Sequence, residues 1–319
     1  MSPEQNTKKL FDCLAIASPS FCRDQTLVNE ARALTKKLVT NQTGERLGEV
    51  ELTRFLKETG ADGLIIGTDS LTAGVISAAP NLKAIGKYGV GLDRVDLDAV
   101  KARGIHFGYQ AGVNKRSVSE LTLCFMLGHQ RNIFRSVNRM ENAQWTKDGG
   151  AQLSGSTIGI IGFGNIGTDL ADVLKPFNCK LLVHDILDKS REAAKLGAQQ
   201  VTYDEVLKNS DILTFHVPGN PSTHHMFGEK EILLTNPSAL IINTARGSVI
   251  DFDATAIAVR NRRLAGYASD VFPKEPLLSS DFKIEERFYF TPHIGGNATE
   301  AVLAMGRAAI DGLKQYLSI

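Results

Sequence analysis

Short apolar runs alternate with amphipathic stretches along this chain, and the two have different periods. Residues 11–17, 61–66, 82–86 and 105–107 are compact apolar runs that read as buried strands. Residues 24–38 place Leu27, Ala31, Leu34 and Leu38 at helical spacing and predict one helix. This strand–helix rhythm implies a parallel sheet covered by helices. An amphipathic helix is expected over 118–135. The rhythm then restarts more strongly, with strands expected at 157–161, 181–184, 212–216, 240–243 and 264–268. The last segment, 298–317, carries Val302, Met305, Ala309, Leu313 and Tyr316 on one helical stripe. The fold class expected is α/β, with two doubly wound parallel-sheet domains and no internal repeat or low-complexity tract.

The totals remove several function classes. At 319 residues there is room for two ordinary domains. Thirty-six Lys and Arg against 35 Asp and Glu leave a formal charge of +1, which gives no general attraction for nucleic acid or an anionic membrane. Any pull on an anionic substrate must be local. Cys13, Cys22, Cys124 and Cys179 form no CxxC pair and no metal-like cluster with histidine, so no metal is assigned. Residues 1–10 are polar with no apolar signal core, and no window approaches the ~18 apolar residues of a membrane span. The location expected is the cytoplasm.

The sharpest local pattern lies at the start of the second half. The run 158–161 leads straight into Gly162-Phe163-Gly164-Asn165-Ile166-Gly167, and Ile166, Leu170, Val173, Leu174 and Phe177 then form a helical stripe. Strand, GxGxxG and helix in that order fit a dinucleotide site. Gly162 permits the tight turn, Gly164 lets backbone approach a pyrophosphate, and Gly167 lets helix and strand pack closely. Amides at the helix start, around Asn165 and Ile166, would face the anion. Asp185 ends the next strand, 18 residues beyond Gly167, where a carboxylate can accept from ribose hydroxyls and repel a 2′-phosphate. NAD is therefore expected over NADP, although Lys189 and Arg191 lie close by.

Further motifs resemble one family. The stretches 240–247 (LIINTARG), 268–272 (ASDVF) followed by Glu275-Pro276, and 291–296 (TPHIGG) are similar to signatures of the D-isomer-specific 2-hydroxyacid dehydrogenases. Residues 87–93 (KYGVGLD) and 114–120 also resemble that family, and the likeness spans about 61–300. The resemblance implies a flavodoxin-like substrate domain and a Rossmann NAD domain with an intervening cleft. It places the substrate domain at 1–112, the NAD-binding domain at 113–292, and a C-terminal return to the first domain at 293–319. It also implies a homodimer.

The resemblance gives roles to particular residues. Arg246 offers a planar fork suited to a carboxylate and can polarise a 2-oxo group. His293 exchanges the substrate proton near neutral pH, and Glu275 orients the imidazole and stabilises its charged form. Val90 and Gly91 map to the backbone amides that hold the substrate carboxylate, though the same glycines also suit a tight turn. Asp270 resembles the residue that bonds the nicotinamide carboxamide. His216, Val217, Pro218, Thr244, Ala245, His293 and Gly295 would line the cofactor. His184, His224 and His225 receive no such role, and His224-His225 is expected on a solvated loop.

Departures from relatives bear on the substrate. Gly67 stands where phosphoglycerate dehydrogenases carry a phosphate-binding arginine, Lys87 replaces a frequent arginine, and Tyr88 replaces smaller residues. Lys87 can contact a phosphate only as a point charge, and Tyr88 can narrow the pocket or bond a substrate hydroxyl. Ending at Ile319, the chain has no room for the regulatory domain of longer phosphoglycerate dehydrogenases. Ser119 and Ser269 are read as minor replacements. The expected activity is hydride transfer between NAD and C2 of a small D-2-hydroxy acid, such as 3-phosphoglycerate or glycerate. Two alternatives stay open: an NAD-sensing corepressor-like binding protein, and a phosphite-type dehydrogenase. A formate dehydrogenase would pair the histidine with glutamine, against Glu275.

Overall fold

The computed structural model describes residues 10–278, 282 and 285–318, so the polar N-terminal stretch lies almost wholly outside the described residues. The chain divides into two compact units, residues 1–114 with 299–319, and residues 115–298.

The first unit contains β1 (Phe11–Ile16), β2 (Thr35–Thr40), β3 (Gly63–Ile66), β4 (Ala84–Lys87) and β5 (His106–Gly108). They form an all-parallel sheet in the order β2-β1-β3-β4-β5. That is the flavodoxin-like order, which reverses between β1 and β3. β3 and β4 are buried at every position, as strands covered on both faces require.

The helix expected over 24–38 is a helix followed by a strand. Asp24 caps the helix Gln25–Arg32 by accepting from Leu27 N at 3.0 Å. Thr35 then stitches into β1: its hydroxyl donates to Phe11 O and accepts from Leu14 N, both at 3.1 Å. The spacing of Leu34 and Leu38 imitates a helix, but β-branched Thr35, Val39 and Thr40 favour a strand. Exposed Lys36 and Lys37 on β2 protect the sheet edge.

The C-terminal helix Thr299–Leu317 belongs to this first unit. It buries Met305, Ala309, Ile310 and Leu313 in one cluster with Phe11, Leu14 and Ile16. Its backbone rests on the sheet: a Cβ at Gly86 would lie 2.5 Å from Ala309 O. His106 Nε2 meets Gly312 O at 2.9 Å.

The second unit contains β6 (Thr157–Ile161), β7 (Lys180–His184), β8 (Ala198–Gln200), β9 (Ile212–Phe215), β10 (Leu240–Asn243), β11 (Gly266–Ser269) and β12 (Phe288–Phe290). The sheet is parallel throughout, in the order β12-β11-β10-β9-β6-β7-β8. Its order reverses between β6 and β9, a Rossmann arrangement. Strands β8 and β12 are too short to announce themselves in the apolar pattern.

The helix expected over 118–135 is also two. Lys115–Gln130 ends before Asn132, which sits in the left-handed region at φ 51°, and Ile133–Glu141 follows. Gly128 permits the fold-back, because any Cβ there would enter the Phe134 ring. The unit continues to residue 298, beyond the return expected at 293. Among the described residues no helix is long and apolar enough to cross a membrane.

Candidate active site

The carboxyl ends of the second unit's strands gather the chemistry, beginning at the turn after β6. Gly162 has φ +92°, and a Cβ there would stand 2.5 Å from His216 O. The turn is thus pressed against the chain leaving β9, at the point where strand order reverses and ligands of such sheets bind. A Cβ at Gly164 would meet nothing within 4 Å, so that face of the turn is open. Gly167 lies against the Gly162 carbonyl, bringing turn and helix into contact. The helix Asn165–Leu174 starts without a side-chain cap, leaving its first amides for another acceptor.

Asp185 follows β7 and is bound into this turn. Its Oδ2 accepts from Phe163 N at 2.7 Å and its Oδ1 from Leu187 N at 2.9 Å. A carboxylate has lone pairs beyond these two for a ribose hydroxyl. Glycine turn, uncapped helix and acid form one bonded unit that fits a dinucleotide.

His216, Val217 and Pro218 leave β9. The His216 ring meets Thr214 Oγ1 at 3.0 Å and Thr244 Oγ1 at 3.5 Å. Desolvation pushes its pKa down to about 3, so it stays neutral. Asn243, fully buried at the end of β10, was not singled out by its residue type, yet it shapes the next turn. Its side chain accepts from Ala245 N at 3.1 Å and donates to Arg246 O at 2.9 Å. Arg246 Nη1 donates to Ala245 O at 2.7 Å. A Cβ at Gly247 would enter the Phe272 carbonyl and stand 2.5 Å from Pro273 N. The arginine turn therefore packs on the loop that carries Glu275.

Glu275 and His293 are directly paired, Oε2 to Nδ1, at 2.8 Å. The other carboxylate oxygen accepts from Phe272 N at 3.1 Å, which fixes the acid's orientation. Burial alone pushes the Glu275 carboxyl up, but the His293 hydrogen bond and charge, the Phe272 amide and Arg246 together hold it below its ordinary value. The hydrogen bond to Glu275 raises the His293 pKa above its ordinary value against desolvation, with help from the Glu275 and Asp270 charges and opposition from Arg246. Bonding at Nδ1 leaves Nε2 to exchange a proton.

His293 adopts φ +55°, an unusual conformation for a side chain of its size. Asp270, only 1% exposed, holds the segment there. Its Oδ1 accepts from Thr291 Oγ1 at 2.6 Å and Ile294 N at 2.7 Å, and its Oδ2 from Gly295 N at 2.7 Å. Burial pushes the Asp270 carboxyl up, and these donors and His293 partly offset it. Beyond its expected cofactor contact, Asp270 is thus a clamp on the histidine loop. Ser117 Oγ adds a bond to Gly295 O at 2.6 Å, which keeps this loop in the second unit.

The candidates in the first unit lie together at the end of β4. Lys87 is buried, with Nζ donating to Gly67 O at 2.8 Å and to Tyr88 O at 3.0 Å. Tyr88 packs edge-on against Phe21, and half-buried Val90 and Gly91 follow in the turn. The Val90 carbonyl accepts from Tyr109 Oη at 2.9 Å. His224 and His225 stack on each other on an exposed turn.

Known proteins resemble this chain over most of its length. The family described as D-isomer specific 2-hydroxyacid dehydrogenase, NAD binding domain, matches residues 123–295. A D-3-phosphoglycerate dehydrogenase of Escherichia coli (strain K12) is 38% identical, over 82% of this chain and 66% of its own. A hydroxypyruvate reductase of Thermotoga maritima is 33% identical, over 87% of this chain and 91% of its own. Among solved structures, the D-lactate dehydrogenase from Aquifex aeolicus complexed with NAD and lactic acid superposes with a TM-score of 0.80 at 27% identity, covering 96% of this chain and 95% of that one. The chain belongs to the D-isomer specific 2-hydroxyacid dehydrogenases, a family of NAD-dependent oxidoreductases.

Proposed function

We propose that this chain interconverts a small D-2-hydroxy acid and its 2-oxo acid, with Arg246, Glu275 and His293 as its catalytic residues. The observation that carries this reading is the 2.8 Å bond between Glu275 and His293, with Arg246 close enough to shift both titrations. Bound NAD supplies the hydride acceptor, and NADH the donor. Gly162, Gly164, Asn165, Ile166, Gly167 and Asp185 hold its dinucleotide end. His216, Val217, Pro218, Thr244, Ala245, Asp270, His293 and Gly295 line the remainder.

During reduction His293 donates its Nε2 proton to the carbonyl oxygen while Arg246 stabilises the developing negative charge. During oxidation the same nitrogen takes the hydroxyl proton, and Glu275 stabilises the imidazolium. The substrate carboxylate is assigned to the backbone amides of Val90 and Gly91, with Tyr88 and Lys87 behind that turn. NADH consumption with glyoxylate, pyruvate, hydroxypyruvate and 3-phosphohydroxypyruvate tests the proposal. Oxidation of NADH with at least one of them is expected; no turnover with any would overturn it.

We also infer a homodimer through the helix Ile133–Glu141. Its polar side is the one anchored within its own unit: Arg135 pairs with Asp148 at 3.2 Å and Glu286 at 2.9 Å. Ile133, Val137 and Met140 are 50%, 52% and 55% exposed on this helix, and Trp145 just beyond it is 77% exposed. A helix with Ile133, Val137 and Met140 outward and its arginines tied down fits a second copy better than water.

A further inference from the structure

Lys87 ends a strand that is buried at every position, and it is itself only 3% exposed. A buried ammonium must have its donors occupied, because it has lost its water. Here Gly67 O and Tyr88 O take that place, at 2.8 and 3.0 Å. β3 and β4 are neighbours, with Ile66 opposite Lys87, and Tyr88 N donates to Ile66 O at 2.8 Å. Where the ladder ends, the ammonium continues it by gathering the first carbonyl beyond each strand. Gly67 N is held as well, donating at 2.9 Å to Oδ2 of fully buried Asp69.

The next turn wraps this charge. Gly89 has φ +96°, and a Cβ there would be 3.6 Å from Lys87 Nζ. The floor beside it is closed: a Cβ at Gly67 would stand 2.8 Å from Ser18 Oγ and 3.6 Å from Tyr88 Cδ1. Tyr88 is 6% exposed, with its ring centroid 5.6 Å from that of Phe21. A phosphoryl group drawn to Nζ would have to compete with the two charge-assisted hydrogen bonds it already makes, on a side chain only 3% exposed.

We infer that Lys87 is a positioning residue, which fixes the turn from Tyr88 to Gly91 for carboxylate binding, and that this end of the first unit selects unphosphorylated 2-oxo acids. The inference rests on the dehydrogenase reading and on the assignment of the substrate carboxylate to the Val90 and Gly91 amides. Lys87 does not touch substrate; it acts through the backbone it holds.

The test compares wild type and Lys87→Met on glyoxylate, hydroxypyruvate and 3-phosphohydroxypyruvate, with NADH binding followed separately by fluorescence. The wild type is expected to favour hydroxypyruvate over its 3-phosphate by at least about tenfold in kcat/KM, the scale of one charge-assisted bond. Lys87→Met is expected to raise KM for all three acids by a common factor of about tenfold, with kcat changed less and NADH affinity kept. A rise confined to the phosphorylated acid, or no change in KM, overturns the positioning role. Should the variant fail to fold, the wild-type panel still decides: preference for the 3-phosphate overturns the inference. A wild type that reduces none of the acids overturns the dehydrogenase reading, and this inference with it.

Discussion

Glu275 Oε2 and His293 Nδ1 lie 2.8 Å apart, although they are eighteen positions apart in the chain. The bond raises the histidine's pKa, so the protonated form persists to higher pH than in free histidine. Reduction uses that form, and its rate should fall as pH rises through the raised pKa; oxidation should rise over the same range. Glu275→Gln removes the largest cause of the shift. Its reductive limb is expected to move to lower pH, with kcat down roughly tenfold or more. A pH–rate profile identical to wild type would contradict the pairing's role.

His293→Ala should lower kcat by about 10²- to 10⁴-fold, the usual range for a lost general acid. NADH titration by fluorescence should change little, because the glycine turn and Asp185 are untouched. Near-normal turnover would show that the proton comes from elsewhere.

Two alanine substitutions in the glycine turn should separate folding from binding. Gly162→Ala forces a side chain into φ +92° and towards His216 O, and thermal unfolding should reveal a loss of about 1–3 kcal/mol or more. Gly164→Ala meets open space, so stability should hold while NADH affinity falls. Equal melting temperatures for the two variants would argue against this account.

The outward apolar face of Ile133–Glu141 predicts that Val137→Glu shifts the sedimentation coefficient from dimer to monomer while thermal stability at high dilution stays close to wild type. An unchanged sedimentation profile in both proteins would place any interface elsewhere.

Acid stability should carry the mark of His129. Burial, with Arg135 and Arg287 nearby, lowers its pKa from 6.5 to about 4. The unfolded chain therefore binds this proton first, and stability is lost as pH falls from 6.5 towards 4. The loss from this group reaches about 3 kcal/mol, at 1.36 kcal/mol per pKa unit. His129→Phe should flatten the decline of denaturant midpoint over that window, leaving the part due to His216. An unchanged slope would rule His129 out.

Much of this molecule was legible in its residues. β6 and β10 begin and end where the apolar runs do, because strands buried on both faces read as unbroken hydrophobic segments. The glycine turn and Asp185 followed from motif order, while Arg246, Glu275 and His293 were picked out by the family resemblance. Edge strands were harder. β2 exposes two of its six residues, both lysines, so its Leu38, together with Leu34 just before it, looked helical. The break at Asn132 depends on Phe134 folding onto Gly128, a contact that no periodicity records. Asn243 and the clamp of Asp270 on Gly295 were hidden for another reason. Their work is hydrogen bonding to backbone, which leaves no residue-type signature at the receiving end.

The return of Thr299–Leu317 to the first unit also has a consequence for synthesis. The helix completes the cluster around Phe11 and Leu14, and its backbone sits against Gly86. On the ribosome, β1 to β5 must wait for the helix Thr299–Leu317, made well after them, before their apolar surface is sealed. The middle of the chain, 115–298, has no such debt and can become globular while the tail is still in the exit tunnel. The cluster on that face of the sheet thus stays incompletely packed from the translation of β5 until Leu313 is released. In that interval the uncovered apolar surface is exposed to self-association, as in other partly folded chains.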